Sequence, residues 1–190
     1  MEYLLLLVSI VLLLCVIGLG GFLVFLGYEL WFHNQKLRVG YLPSYLPHLR
    51  EKLPQIMAQL VPDTSAYEFI ELGCGTGHVL EYFRETYEFN HYTGVELDFV
   101  WYLVGKWGHR DHPNTTLIHK NVLDFYPESA RPKVIYAYLL PEILRELHRR
   151  GCFKNALVIT LSFEIPEVEP VLKIPTSKVQ QHLLAYDFRT

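Results

Sequence analysis

Residues 70–80 read Ile-Glu-Leu-Gly-Cys-Gly-Thr-Gly-His-Val-Leu, and this stretch restricts the fold more than any other part of the chain. An apolar run meets an acidic residue, Glu71, and helical spacing of apolar residues begins at Val79. Between them lie three glycines at alternate positions: Gly73, Gly75 and Gly77. The order predicts a strand, a tight turn and a helix whose N-terminus faces a ligand.

Two kinds of nucleotide ligand fit such a loop. Dinucleotide folds use Gly-x-Gly-x-x-Gly, but here the third glycine comes one residue early and His78 occupies the dinucleotide position. Glu71 would repel a pyrophosphate, whereas it suits a ligand with a cationic amino-acid end, such as S-adenosylmethionine. S-adenosylmethionine is therefore the predicted cofactor, and a dinucleotide site or a purely structural glycine turn are the alternatives.

Strand and helix patterns alternate beyond the loop. Strands are predicted at 91–96, 115–119, 134–138 and 156–163, and helices at 99–108 and 141–150. A leading helix ends near Leu60, and segments 168–174 and 182–188 are predicted as a closing antiparallel pair. Alternation of this kind predicts an α/β fold with a doubly wound sheet and helices on both faces.

The loop pattern Glu71-x-Gly73-x-Gly75-x-Gly77 resembles the first motif of the class I, seven-strand methyltransferases. This resemblance implies a Rossmann-like doubly wound sheet. The chain is expected to divide into a transmembrane anchor, a linker with a leading helix, and a methyltransferase domain. The expected bounds are 1–33, 34–62 and 63–190.

The anchor is predicted from an uncharged run. No charged residue occurs in 3–28, which is long enough to cross a hydrocarbon core of roughly 30 Å as a helix and so to bind a lipid bilayer. A cleaved signal peptide is the alternative, but it would have a basic start and a shorter apolar core. Only Glu2 is charged before the run, whereas four basic residues follow it: Lys36, Arg38, Arg50 and Lys52. The N-terminus is therefore expected outside, with the domain on the cytoplasmic or matrix side.

Composition excludes several classes of partner. The net charge of −3 and the lack of a basic stripe argue against nucleic acid as the main partner. The three cysteines, Cys15, Cys74 and Cys152, form neither a disulfide framework nor a zinc spacing. The nine histidines include no His-x-x-x-His pair, so no metal site is expected.

Further candidate cofactor-binding residues follow the second and third predicted strands. Glu96 ends the second strand, where a carboxylate can accept hydrogen bonds from both ribose hydroxyls. Asn121 and Asp124 follow the third strand, where either side chain can bind the adenine edge, with Asn121 slightly favoured by position. A turn-forming role is the alternative for each of these two residues.

A closer resemblance is carried by several segments in one order. The fourth strand lacks the Asn/Asp-Pro-Pro-Tyr motif of many amino-methylating enzymes, which disfavours a DNA-adenine or glutamine-amide methyltransferase. The chain instead resembles the small protein-lysine methyltransferases, which include archaeal broad-specificity enzymes and the mitochondrial enzymes for the ATP synthase c-subunit and the adenine nucleotide translocase. The segments that carry this resemblance are Tyr41-Leu42-Pro43-Ser44, Glu71 to Gly77, Gly94-Val95-Glu96, Tyr138-Leu139-Leu140 and Ser162-Phe163-Glu164-Ile165.

This resemblance implies roles for individual residues. Tyr41 and Ser44 would lie over the cofactor, and Glu96 would bind its ribose. Glu71 and the loop would surround its methionine end; the loop residues are Gly73, Cys74, Gly75 and Gly77. One departure is visible, because relatives often have His-Glu-Phe at the end of strand five, where this chain has Leu161-Ser162-Phe163.

The expected acceptor is a lysine side chain of a protein. A lysine amine has a pKa of about 10.4 in water and must lose its proton before it can accept a methyl group. An apolar, aromatic pocket lowers that pKa. Tyr136, Tyr138 and Phe163 are predicted to form this pocket, with ordinary sheet packing as the alternative for each. A small-molecule or lipid methyltransferase and a non-catalytic anchored binding module are the competing hypotheses.

Overall fold

The computed structural model describes residues 2–34, 44, 46–176 and 181–189, and the chain divides into two compact units, Met1–Gly40 and Tyr41–Thr190. The first unit contains one helix, α1 (Glu2–Asn34). Within it, Leu7–Tyr28 is long and apolar enough to cross a membrane by length and composition, and none of this stretch is buried. A signal sequence has the same properties, so the anchor and its sidedness stay predictions.

The second unit is built on a seven-stranded sheet of order β3-β2-β1-β4-β5-β7-β6. Strands β1 to β5 pair in parallel, whereas β7 is antiparallel to both of its neighbours. This arrangement confirms the predicted α/β, doubly wound fold. Its elements are α2 (Leu46–Leu60), β1 (Glu68–Leu72), α3 (His78–Thr86), β2 (His91–Glu96), α4 (Phe99–Gly108), β3 (Thr115–His119), a 3-10 turn (Val122–Asp124), β4 (Lys133–Ala137), α5 (Pro141–Arg149), β5 (Ala156–Leu161), β6 (Leu172–Pro175) and β7 (His182–Asp187).

The order of the strands creates one switch point. The chain moves outward from β1 to β2 and β3, and then returns to β4 on the other side of β1. Leu72 at the end of β1 lies in register with Val95 of β2 and Ala137 of β4. The segments after these strands therefore meet at one edge of the sheet, which is where open α/β sheets bind their ligands.

Each face of the sheet carries a hydrophobic core. On one face, α2 and α3 pack against the strands, and the rings of Phe69 and Phe83 stack with centroids 3.9 Å apart. On the other face, α5 buries Leu144 and Leu147 against the sheet, close to Tyr186 of β7. Truncation of a buried leucine such as these typically costs about 2–5 kcal/mol, so both cores hold the switch point rigidly in place.

Several predicted strand ends were wrong. Strand β5 ends at Leu161 rather than residue 163, because Ser162 has a φ of 66° and leaves the extended conformation, although its N–H still donates to the carbonyl of His182 at 2.8 Å. Strand β4 ends at Ala137, one residue before the predicted end. Strand β6 begins at Leu172 rather than residue 168, since Glu167 has a φ of 68° and prolines flank it. The predicted antiparallel pairing of the two tail strands is confirmed.

Candidate active site

The glycine loop after β1 has a backbone that few residues other than glycine adopt. Gly73, Gly75 and Gly77 have φ angles of 75°, 54° and 83°. The N–H groups of Gly73 and Cys74 both donate to the carbonyl of Val95, at 2.8 and 3.0 Å, and so bind the loop to the end of β2. The loop is therefore defined by main-chain geometry and main-chain hydrogen bonds.

Gly77 is needed for a second reason, which is the close approach of a histidine. A Cβ atom added at Gly77 would lie 2.5 Å from Nε2 of His109. The same test at Gly73 finds Cδ2 of Leu139 at 3.1 Å, a tight contact that a small shift can relieve. Position 77 therefore requires glycine for its φ angle and for the space that His109 occupies.

His109 supports the loop as a neutral imidazole. Nη1 of Arg84 lies 2.8 Å from Nδ1 of His109, and arginine only donates, so Nδ1 accepts this hydrogen bond. The other ring nitrogen then carries the proton of the neutral imidazole. Burial, and then the charge of Arg84, lower the pKa of His109. This residue was missed from the sequence because it lies in a different helix–strand connection from the loop that it supports.

Glu71 is buried at the base of the glycine loop. Its side chain is 4% exposed, and Oε2 accepts a 2.8 Å hydrogen bond from the N–H of Leu80 in the first turn of α3. Burial raises the pKa of Glu71 well above its ordinary value; the Leu80 hydrogen bond opposes this rise, and the charge of Glu96 adds to it. A cation bound near these two carboxylates would relieve their repulsion.

Glu96 joins the glycine loop to the start of α4. Oε2 accepts from the N–H of Gly75 at 2.6 Å, and Oε1 accepts from the N–H of Asp98 at 2.7 Å. Burial raises its pKa, whereas these hydrogen bonds lower it. Each carboxylate oxygen has two lone pairs, so each can accept a further bond from a ribose hydroxyl.

Asp98 was not among the predicted site residues. Its Oδ1 accepts hydrogen bonds from the N–H groups of Val100 and Trp101, at 2.8 and 3.1 Å, and so caps α4. The sequence signal was present, since an aspartate directly before an apolar helix is typical of an N-cap. Asp98 therefore fixes the direction of α4 relative to Glu96.

Cys74 contributes its backbone to the loop, while its side chain packs beneath it. A Cβ atom added at Gly94 would lie 2.8 Å from the Cys74 sulfur, which shows how closely the thiol approaches β2. Burial raises the pKa of this thiol. The predicted contact of Cys74 with a cofactor stays a prediction.

The two candidates for the adenine contact occupy different positions. Oδ1 of Asn121 accepts a 3.0 Å hydrogen bond from the N–H of Leu123 and caps the 3-10 turn, whereas Asp124 is exposed at the end of that turn. The cap orients the Asn121 side chain beside the end of β3. The adenine contact of either residue stays a prediction.

The three aromatic residues predicted for the acceptor pocket adjoin one another in part, because Tyr138 stacks on Phe163 and also packs against the core cluster that contains Tyr136, and their role in acceptor binding stays a prediction. Tyr138 and Phe163 stack, with centroids 5.7 Å apart and an interplanar angle of 24°. Tyr136 is 1% exposed in the core, and its hydroxyl lies 2.8 Å from Oγ of Ser44. Burial raises the pKa of Tyr136, so this hydroxyl stays protonated. Tyr41, the other predicted partner of the cofactor, lies outside the described residues.

Two buried hydroxyls near the carboxyl ends of the strands lack a hydrogen-bond partner among the described residues, as do the buried side-chain oxygens of Tyr87, Thr115 and Gln181. Within the part of the chain that the structure describes, Oγ1 of Thr76 and Oγ of Ser162 are buried and have no hydrogen-bond partner. An unsatisfied buried polar group costs about 1–3 kcal/mol. The hydroxyl of Thr76, the two carboxylates and the glycine loop together fit a cofactor with a cationic end and a ribose.

Comparisons with known proteins identify the fold. No family model and no curated protein matches the sequence. Among solved structures, an RNA methyltransferase from Salinibacter ruber in complex with S-adenosyl-L-homocysteine has a TM-score of 0.63 at 15% identity, with 78% of this chain and 94% of that chain covered. The 23S rRNA methyltransferase ErmE has a TM-score of 0.54 at 15% identity, covering 77% of this chain and 68% of that one.

A third similar structure is a variant of MtNAS in complex with S-adenosylmethionine. Its TM-score is 0.58 at 14% identity, and the alignment covers 73% of this chain and 61% of that chain. Identities this low establish the architecture and leave the methyl acceptor undefined. The second unit of this protein, with its seven-stranded sheet, has the Rossmann-like fold of the class I S-adenosylmethionine-dependent methyltransferases.

Proposed function

We propose that this protein is a membrane-anchored S-adenosylmethionine-dependent methyltransferase that methylates lysine side chains of a protein. The observation that carries the proposal is the stacked pair of Tyr138 and Phe163, which follows β4 and β5 at the same edge of the sheet as the glycine loop. A cofactor loop and an aromatic surface thus adjoin the same switch point.

The residues around the loop suit each part of S-adenosylmethionine. The carboxylate of Glu71 complements the cationic amino-acid end, and the carboxylate of Glu96 suits the ribose hydroxyls. Asn121 is the candidate for the adenine edge. Solved structures of this fold bound to S-adenosylmethionine or S-adenosyl-L-homocysteine support the same cofactor here.

The chemistry requires alignment and a dry site more than it requires acid–base groups. The bound cofactor supplies a methyl group on a sulfonium, whose leaving group is neutral. The protein must hold the acceptor in line with that methyl group and exclude water. The faces of Tyr138 and Phe163 provide an apolar surface for the alkyl chain of a lysine, and such surroundings lower the pKa of its amine.

Ser162 offers a polar contact for the same amine. Its Oγ is buried without a hydrogen-bond partner among the described residues, directly before Phe163. It stands at the position where relatives in the lysine-methylating family often have a charged residue. A hydroxyl there can accept a hydrogen bond from the neutral amine and orient it.

Two further features support the membrane location and the protein acceptor. Helix α1 carries a stretch of 22 residues that is apolar enough to span a bilayer. The basic residues that follow this stretch favour the cytoplasmic or matrix side for the domain. An acceptor that is itself a membrane protein would then lie within reach.

RNA is the competing acceptor, because the structures from Salinibacter ruber and ErmE are described as RNA methyltransferases. At 15% identity, the similarity to these two structures supports a common fold and does not identify the acceptor. The net charge of −3 argues against RNA, since proteins that bind nucleic acid typically present a basic surface to the phosphates.

A labelling experiment tests the proposal. Full-length protein in vesicles is incubated with methyl-labelled S-adenosylmethionine, membrane proteins, lipid and total RNA, and each fraction is counted. We expect label on protein, assigned to methyl-lysine by mass spectrometry, and none with the Gly75→Val variant. Label confined to RNA or to lipid would disprove the lysine acceptor. If S-adenosylmethionine also fails to bind in calorimetry, the enzymatic function itself is disproved.

A further inference from the structure

Helix α4 exposes an apolar surface to solvent. Four large side chains on it are strongly exposed: Phe99 at 47%, Leu103 at 46%, Val104 at 50% and Trp107 at 71%. Gly105 is its only buried residue. In helix α5, by contrast, the large apolar side chains of Leu144 and Leu147 are completely buried. Exposed apolar side chains grouped on one helix in this way are a candidate site of interaction.

The exposed residues share one face of the helix. Phe99, Leu103 and Trp107 are spaced four residues apart, and Val104 lies three residues before Trp107, which makes these two residues neighbours on the helix surface. We call these four residues the α4 surface. The opposite side of the helix faces the sheet through Gly105, where a Cβ atom would lie 2.6 Å from Cδ2 of Leu117. Glycine thus lets α4 lie close to β3 while its large side chains project outward.

Cations accompany the α4 surface. Helix α4 contains no acidic residue, and it carries Lys106, with Arg110 just after its end. The Lys106 amine lies 5.4 Å from the ring centroid of Tyr102, and the Arg110 guanidinium lies 4.5 Å from that of Trp107. Asp111 is the acidic neighbour, 3.5 Å from Arg110 and exposed.

Apolar, aromatic and basic side chains in this combination are typical of helices that lie in a membrane interface. Tryptophan and tyrosine occupy the headgroup level, aliphatic chains enter the acyl boundary, and lysine and arginine approach lipid phosphates. A protein partner would also bind an apolar face, but the same chain carries the 22-residue candidate span of α1. Residues 35–43 separate α1 from Ser44 and cover at most about 35 Å when fully extended.

We propose that the α4 surface docks on the lipid bilayer that α1 spans. Because the anchor and the domain belong to one chain, the surface has a raised effective concentration at that bilayer. Weak individual contacts from four apolar side chains are then sufficient, because docking follows anchoring as an intramolecular step. This inference depends on the anchor and does not depend on methyl transfer.

Docking at α4 would bring the cofactor loop near the membrane. The carbonyls of Thr76 and Gly75 lie 3.2 and 3.3 Å from the position of a Cβ atom on Gly105, so the loop adjoins the inner side of α4. Asp98, which caps α4, also donates to Glu96. Acceptors at the headgroup level would thereby lie near the site.

Tryptophan quenching in vesicles tests the proposal on the full chain. The sequence has three tryptophans, and replacing Trp31 and Trp101 by phenylalanine leaves Trp107 as the reporter. The matched control carries the same two replacements together with Trp107→Phe and Val171→Trp, so that residue 171 is its single tryptophan. Val171 is 56% exposed beside β6, at the opposite edge of the sheet from α4. Both proteins are reconstituted into vesicles of brominated phosphatidylcholine with phosphatidylglycerol.

We expect the Trp107 reporter to be quenched by brominated lipid several-fold more strongly than the control and to be protected from aqueous acrylamide. The added substitution Leu103→Glu should reduce this difference, while S-adenosylmethionine binding, measured by calorimetry in detergent without lipid, stays unchanged. Equal lipid quenching at the two positions, or failure of the protein to float with vesicles, would overturn the proposal. So would disulfide-linked dimers through Val104→Cys without lipid quenching, which would identify a second copy as the occupant.

The quenching experiment can be interpreted even if the protein transfers no methyl group. Lipid quenching depends only on where residue 107 lies, and calorimetry reports the cofactor site separately. A protein that is quenched by lipid but binds no S-adenosylmethionine would support docking and disprove the enzymatic function. The reverse result would disprove docking alone.

Discussion

The two halves of the candidate active site are built by different means. After β1 and β2, the loop is held by main-chain bonds to Val95, by glycines with positive φ, and by Glu96 on the N–H of Gly75. After β4 and β5, the site consists of the stacked rings of Tyr138 and Phe163 and of the Ser162 hydroxyl, for which the described part of the chain offers no hydrogen-bond partner.

This contrast separates two kinds of requirement. The cofactor half is fixed by backbone geometry, so a single added Cβ atom disrupts it whatever its chemistry. The proposed acceptor half is formed by side-chain surfaces. We therefore expect each substitution there to lower the affinity for the acceptor by a moderate amount. Backbone-defined ligand loops with variable neighbouring side chains are how one fold serves many substrates.

Gly77→Ala is expected to have the largest effect. The new Cβ atom would lie 2.5 Å from Nε2 of His109 and would also strain the backbone at a φ of 83°. Strain of this kind costs about 1–3 kcal/mol, and the clash adds to it, so cofactor affinity should fall about a hundredfold in calorimetry. Gly151→Ala is the control, because φ is 74° there and no atom lies within 4 Å of the added Cβ. Weakened binding in the control would contradict the role of the His109 contact.

Glu71→Gln should have an intermediate effect that depends on pH. Burial raises the pKa of Glu71 and Glu96, so their contribution to the stability of the ligand-free domain is fully present below about 4.3 and is lost as pH rises through the raised values. A cationic ligand favours the charged forms. Cofactor binding should therefore release protons and tighten as pH rises.

Calorimetry in buffers of different ionisation enthalpy measures this proton release. Glu71→Gln should reduce it and weaken binding about tenfold or more, since a charge-assisted contact contributes roughly 1.5–3 kcal/mol. Glu85→Gln, on the exposed side of α3, is the matched control and should change neither quantity. Unaltered proton release in Glu71→Gln would mean that the protonation state of Glu71 does not change when the ligand binds.

Phe163→Leu is expected to have the smallest effect and to act on the acceptor alone. Loss of the stack with Tyr138 removes about 0.5–1.5 kcal/mol, so kcat/KM for the protein acceptor should fall about three- to tenfold. The cofactor Kd should not change. Tyr126→Leu, at a side chain that is 50% exposed, serves as control. A higher cofactor Kd in Phe163→Leu would contradict the assignment of Phe163 to the acceptor half alone.

The sequence predicted best where periodicity and turn chemistry agree. The bounds of β2, α4 and β3 match their predicted ranges, because glycine, aspartate and asparagine mark their ends. The end of β5 was wrong because nothing local marks Ser162 for a positive φ, which is uncommon outside glycine, asparagine and aspartate. Prolines around Glu167 were visible in the sequence and should have delayed the start of β6.

The contacts between residues far apart in the chain could not be predicted from the sequence. The hydrogen bond between Tyr136 and Ser44 joins residues that are 92 positions apart. The approach of His109 to Gly77 depends on how closely α4 packs, which Gly105 permits. Patterns report which face of an element is apolar, whereas such pairings depend on tertiary packing.

The cap of α4 has a consequence for how the protein responds to its surroundings. Gly75 donates to Glu96, Glu96 accepts from Asp98, and Asp98 holds the first turn of α4. Three successive hydrogen bonds thus connect the cofactor loop with the helix that bears the exposed apolar surface. By thermodynamic reciprocity, any factor by which lipid contact at α4 strengthens cofactor binding is the factor by which cofactor strengthens lipid contact. If the α4 surface docks on lipid as proposed, cofactor binding and membrane docking would therefore be linked events.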